Sequence, residues 1–149
     1  MPEDLKTDPN TRPAILIVDD EPLVRDVLSR WLSAEGFVCR TAADGASAWQ
    51  SLQQQPADLV TCNINMPGIS GVELLRQIKG ADPDSAVLML TGCGETDTAI
   101  RALTMGACGY LLKPVKREEL VFQVQQGLRG AKWIAKQAHG EVNTSRSTG

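Results

Sequence analysis

The chain has 149 residues, 42% of them hydrophobic and 22% charged, which suits one compact domain and excludes both disorder throughout and a fibrous repeat. A net charge of −3 supplies no electrostatic footprint for nonspecific nucleic-acid binding. The longest apolar runs, 14–18 and 86–90, fall far short of the roughly 20 residues of a membrane-spanning helix, and with no secretory signal after Met1 the cytoplasm is the expected compartment.

Residues 1–13 carry Pro2, Pro9 and Pro13 among polar neighbours and read as a loose lead-in. From there short apolar runs alternate with segments of helical periodicity, the signature of a β-α-β-α series with a parallel sheet. Strands are predicted over 14–18, 37–41, 58–62, 86–90 and 109–112. The first helix, 22–35, places Leu23, Val24, Val27, Leu28, Trp31 and Leu32 on one face, with Pro22 in its first turn and Gly36 at its stop. The second, 45–54, has Asp44 as N-cap and Ala48, Trp49 and Leu52 facing inward.

Ser70 and Glu73 predict a capping box on a third helix that buries Val72, Leu75 and Ile78 and ends at Gly80. A fourth helix, 95–105, has only Ala99, Ile100 and Leu103 to bury and is expected to be weakly held. The fifth begins near Arg117 and aligns Leu120, Val121, Val124 and Leu128, with Gly127 and Gly130 weakening its far end. Residues 128–137 add Trp133 and Ile134, which suit a homodimer contact, the start of a linker helix or plain packing. The ordered domain is therefore placed at 14–137 and a polar, fraying tail at 138–149, with no effector domain expected after it.

Cys39, Cys62, Cys93 and Cys108 form no C-x-x-C pair, and the single His139 lies in the tail. A zinc site is thus not expected, and the thiols read as reduced, mostly buried small hydrophobes. Five parallel strands with right-handed crossovers and helices on both faces give an open, doubly wound α/β sheet, which binds ligands beyond the carboxyl ends of its strands. Four segments fall at that edge: Asp19-Asp20-Glu21, Asn63-Ile64-Asn65-Met66-Pro67-Gly68, Thr91-Gly92 and Lys113-Pro114.

With the apolar runs before them, and with Gly71 after Gly68, these segments resemble the receiver domain of bacterial two-component response regulators over about 14–126. The resemblance implies a flavodoxin-like receiver fold of strand order 2-1-3-4-5. It also implies phosphoryl transfer from a phosphohistidine on a sensor histidine kinase or phosphotransfer protein to an aspartate ending the third strand, with Mg2+ bridging. Asp19 and Asp20 match the family's metal-binding acidic pair, and a hard cation favours such oxygen ligands. The plainer alternative is that the pair only caps the following helix, whose positive end favours carboxylates, and Asp20 and Glu21, leading into Pro22, could do both. Thr91 resembles the hydroxyl that bonds a phosphoryl oxygen, and Gly92 leaves room for the phosphate. Lys113 resembles the family's lysine, aimed by a peptide bond to Pro114 that the family holds in cis.

Alignment on Met66-Pro67-Gly68 places Asn63 at the phosphoacceptor position. Its amide oxygen is uncharged and its lone pair delocalised, so a stable acyl phosphate is not expected there. Asn63 can still offer one neutral oxygen to a metal, and the backbone carbonyl of Asn65 resembles the family's third protein ligand, so the resemblance implies a weakened Mg2+ site with Asp19 and Asp20. The sequence leaves open whether Asn63 belongs to a natural atypical receiver or to an engineered unphosphorylated one.

Tyr110, three residues before Lys113, matches the aromatic residue that follows the threonine in the family's switch, and packing in the core is its plainer role. Through that switch the family contacts a downstream protein on the face of the fourth helix, fifth strand and fifth helix. Direct contact with nucleic acid or a membrane is not expected. The alternatives are a phosphate-independent docking module, a Mg2+-dependent phosphatase and a flavin carrier. The phosphatase needs an Asp-x-Asp pattern on the first strand that Asp19-Asp20-Glu21 lacks, and in the flavin carrier the same acids would repel a phosphate.

Overall fold

The computed structural model describes residues 12–130. Five strands, β1 (Ala14–Val18), β2 (Val38–Ala42), β3 (Leu59–Asn63), β4 (Ala86–Thr91) and β5 (Gly109–Leu112), alternate with five helices. The helices are α1 (Pro22–Ala34), α2 (Gly45–Gln54), α3 (Gly71–Ala81), α4 (Thr96–Thr104) and α5 (Arg117–Arg129). All pairings are parallel and the order is β2-β1-β3-β4-β5, the predicted topology. Pro13 is buried and its carbonyl accepts from Val38 N at 2.9 Å, so the sheet begins one residue before β1. Residues 131–137, with Trp133 and Ile134, and the tail 138–149 lie outside the described residues.

The central strands are buried on both faces because helices cover both. One cluster joins Leu16, Val18, Val60 and Met89 to Leu74, Leu75 and Ile78 of α3. The other joins Ile15, Ile17, Leu59 and Leu88 to Leu28 and Leu32 of α1 and Leu120, Val124 and Leu128 of α5. Among the described residues no helix is long and apolar enough to cross a membrane.

Several local expectations need correction. Leu23 is 74% exposed, because the first turn of α1 projects past the carboxyl end of β1, where no sheet remains to cover it. In α4 the buried residues are Ala99 and Ala102, while Ile100 and Leu103 are 49% and 40% exposed. Small side chains make the contact with the sheet and the larger ones face outward.

Half of the predicted capping box forms. Ser70 Oγ accepts from Glu73 N at 3.2 Å, but the Glu73 carboxylate pairs with Arg76 at 2.8 Å, one turn along the helix. In α3 Leu74 is buried beside Leu75 and Ile78, whereas Val72 is only half-buried. Asp44 caps α2 as expected, and hydrogen bonds from Ser47 hold its carboxyl below the usual carboxylate range. Gly127 permits close packing: a Cβ there would sit 2.8 Å from Cys108 Sγ and 2.9 Å from Leu59 Cδ1. All four thiols are free, but only Cys62 is buried, with Cys39 half-buried and Cys93 and Cys108 exposed.

Candidate functional site

The sheet ladder runs into the carboxyl edge and fixes its residues on rigid backbone. Asp19 N donates to Ala42 O at 3.2 Å, Ile64 N to Leu90 O at 2.9 Å and Lys113 N to Thr91 O at 2.8 Å. Residues distant in sequence thereby meet at one edge.

Asp19 is fully buried and its carboxylate is committed on both oxygens. Lys113 Nζ lies 2.9 Å from Oδ2, and Glu21 N donates to Oδ1 at 2.9 Å as α1 begins. Asp19 thus supports the chain where it enters α1 and pairs with the lysine. The Lys113–Pro114 peptide is cis, as the resemblance implied. Burial, and then the nearby Asp19 charge, push the Cys62 thiol up to about 12, which leaves it protonated and inert at neutral pH.

Asn63 ends β3, and its Nδ2 donates to Asp20 Oδ1 at 3.2 Å and to the carbonyl of Asn65 at 2.8 Å. Both partners are acceptors, so the amide nitrogen must be the atom that faces them. A neutral amide thus satisfies a carboxylate and a carbonyl that a bound cation would otherwise serve. The donor set of Asp19, Asp20, Asn63 and Asn65 is oxygen-rich, as a hard divalent cation requires. It fits such an ion only if the Asn63 amide turns its oxygen inward. Among the described residues no three Cys, His, Asp or Glu side chains gather at a metal-binding spacing.

The remaining predicted residues are placed differently. Thr91 ends β4, the strand paired with β3; it is fully buried and its hydroxyl donates to Gly92 O at 3.3 Å. Tyr110 is half-buried in β5 opposite Met89 and packs on the cluster that α3 and α4 cover. Glu95 is the residue that the sequence reading passed over. Its Oε1 accepts from Gly92 N at 2.8 Å and its Oε2 accepts from Asn65 Nδ2. The available signal was the run Gly92-Cys93-Gly94-Glu95. Gly94 takes φ +90°, a left-handed turn that glycine adopts without a Cβ penalty, and the turn brings Glu95 back over Gly92.

Lys113→Met leaves the Asp19 carboxylate buried without its cation. Removing one partner of a fully buried pair costs about 3 to 5 kcal/mol, and solvent reaching the 23% exposed lysine reduces the expected loss to about 2 kcal/mol. Urea denaturation measures it, and Asp19→Asn in the same chain should recover part of the loss.

The response regulator receiver domain profile matches residues 15–125. Among curated proteins, the transcriptional regulatory protein PrrA of Mycobacterium tuberculosis is 37% identical over 119 residues, 80% of this chain and 51% of that protein. The DNA-binding transcriptional regulator NtrC of Escherichia coli is 35% identical over 117 residues, 78% of this chain and 25% of that protein. The chain thus spans about half the length of one relative and a quarter of the other. Among solved structures, the receiver domain of NtrX from Brucella abortus aligns with a TM-score of 0.76 and 35% identity, covering 78% of this chain and 99% of that one. A response regulator receiver domain protein from Clostridium thermocellum aligns with a TM-score of 0.76 and 32% identity, covering 78% and 94%. With its strand order, its carboxyl-edge cluster and these matches, the chain belongs to the response regulator receiver domain family.

Proposed function

We propose that this chain is a receiver with Asn63 at the phosphoacceptor position, a signalling module that does not take up a phosphoryl group. The observation that carries the reading is the Asn63 amide, which sits at the end of the central strand and bonds Asp20 and the Asn65 carbonyl. An amide oxygen there is too weak a nucleophile to attack a phosphoryl donor. Thr91 and Lys113 stand at the neighbouring strand ends, where they would contact oxygens of a phosphoryl group. Asp19, Asp20, Asn63 and the Asn65 carbonyl would hold Mg2+, loosely because one of the three side chains is neutral. When bound, Mg2+ would neutralise charge on a phosphoryl group being transferred.

The partner class is a sensor histidine kinase or phosphotransfer protein at this edge. Output would pass to a downstream protein through the face of α4, β5 and α5, where Ile100, Leu112 and Phe122 are exposed. With no acceptor, the switch between two forms of that face is set by whatever binds them unequally.

Incubation with a small phosphodonor and Mg2+, followed by intact-mass measurement, tests the reading. The Asn63→Asp variant should gain one phosphoryl group and the unaltered chain none. Gain by the unaltered chain, or by neither protein, overturns it.

A further inference from the structure

Glu95 joins the β3–α3 loop to the β4–α4 loop. Asn65 is the second residue of the β3–α3 loop, and its side-chain amide donates to Glu95 Oε2. The β4–α4 loop begins with Gly92, whose backbone amide donates to Glu95 Oε1 at 2.8 Å. Together with Asn63, this makes an unbroken line of hydrogen bonds or covalent links from Asp20 through Asn63 and Asn65 to Glu95 and Gly92. The line crosses the ends of β1, β3 and β4. Glu95 is also the residue from which α4 starts, so a carboxylate fixed at both oxygens fixes that helix start.

The chemistry of the contact is that of an anion site filled from within. The Gly92 N–H donates to a side chain and not to the sheet, next to Thr91 at the edge where Lys113 also lies, and an incoming oxyanion would seek such a donor. Glu95 already supplies an oxygen to it and adds a negative charge that repels a second anion. We propose that Glu95 is an internal anionic latch, occupying the Gly92 amide in place of an external oxyanion and holding the β4–α4 loop and the start of α4 in one position. This deepens, and rests on, the reading of Asn63 as an acceptor position that takes no phosphate: the chain supplies its own anion at the adjoining donor.

Two measurements on the unaltered chain and on Glu95→Ala and Glu95→Gln test it. Amide hydrogen exchange at Gly92 should be at least tenfold faster in Glu95→Ala. Glu95→Gln retains an acceptor oxygen and should keep most of the protection. The Ile64 and Lys113 amides, bonded to Leu90 and Thr91 carbonyls, should exchange at unchanged rates in both variants. Inorganic phosphate, followed through the resonances of Thr91, Gly92 and Lys113, should act at a concentration at least threefold lower once the charge is removed.

Unchanged protection of Gly92 in Glu95→Ala overturns the latch. So does faster exchange spread equally to Ile64 and Lys113, since it would report a loosened sheet. A phosphate titration identical in all three proteins overturns the anion-for-anion part. None of these measurements involves phosphoryl transfer to residue 63, so the latch and the acceptor assignment fail separately.

Discussion

Gly71→Ala is expected to lower the free energy of unfolding by on the order of 3 kcal/mol, while Gly80→Ala in the same helix raises it by about 0.5 to 1 kcal/mol. The substitution is chemically identical, so the difference isolates the surroundings. A Cβ on Gly71 would lie 2.2 Å from the Asn63 carbonyl oxygen and 2.9 Å from Ile64 Cα, both backbone atoms. Neither can swing aside, as a side-chain tip could. At Gly80 a Cβ meets nothing within 4 Å, leaving only the gain from restricting the unfolded chain and improving helix propensity.

The close approach at Gly71 has a purpose in the architecture. Gly71 N donates to Ile64 O at 2.9 Å, pressing the start of α3 directly onto the end of β3. Residues 64–70 leave and return within that contact, which fixes Asn63 and Asn65 in place. Urea denaturation of both variants beside the unaltered chain checks the pair. Equal stability of Gly71→Ala and the unaltered protein would show that α3 is not seated on the strand as described.

The fold was legible because each layer repeated the same message. Apolar runs such as 86–90 are buried from end to end, and helix signals such as Asp44 and Ser70 act as caps. Errors arose where periodicity ignores neighbours. Ile100 and Leu103 have the spacing to be buried, yet Ala99 and Ala102 let α4 approach the sheet on their own side. That Asp19 and Lys113 share one edge followed from the parallel order, which puts the carboxyl ends of the strands on the same side; their pairing was implied by the resemblance. The bonding within the site was not legible: whether Asn63 turns oxygen or nitrogen toward Asp20 depends on the neighbours' acceptor character. Glu95 was missed because a glutamate before a helix reads as favourable for the helix dipole. Only the turn at Gly94 brings its carboxylate to Gly92 and Asn65.

In metal-free solution Asn63→Asp is expected to be less stable than the unaltered chain by about 2 kcal/mol. The amide's two hydrogen bonds, to Asp20 and to the Asn65 carbonyl, are each worth about 1 kcal/mol net, and a carboxylate at 63 has no proton to donate to either. It also adds a like charge beside Asp20, a repulsion on the order of 4 kcal/mol at about 4 Å and an effective dielectric of about 20 before solvent and side chains relax. Relaxation, including a share of the Lys113 charge, removes much of that. Mg2+ should reverse the order of stability. The variant has three carboxylates for the cation, so a concentration a hundredfold above its dissociation constant adds about 2.7 kcal/mol. The unaltered chain, which must first break the Asn63 bonds and turn its amide, should respond weakly at the same concentration. Denaturation of the two proteins with chelator and with Mg2+ gives all four values. A variant clearly more stable than the unaltered chain in chelator would mean that the Asn63 amide does not hold Asp20 and Asn65 together as its hydrogen bonds indicate.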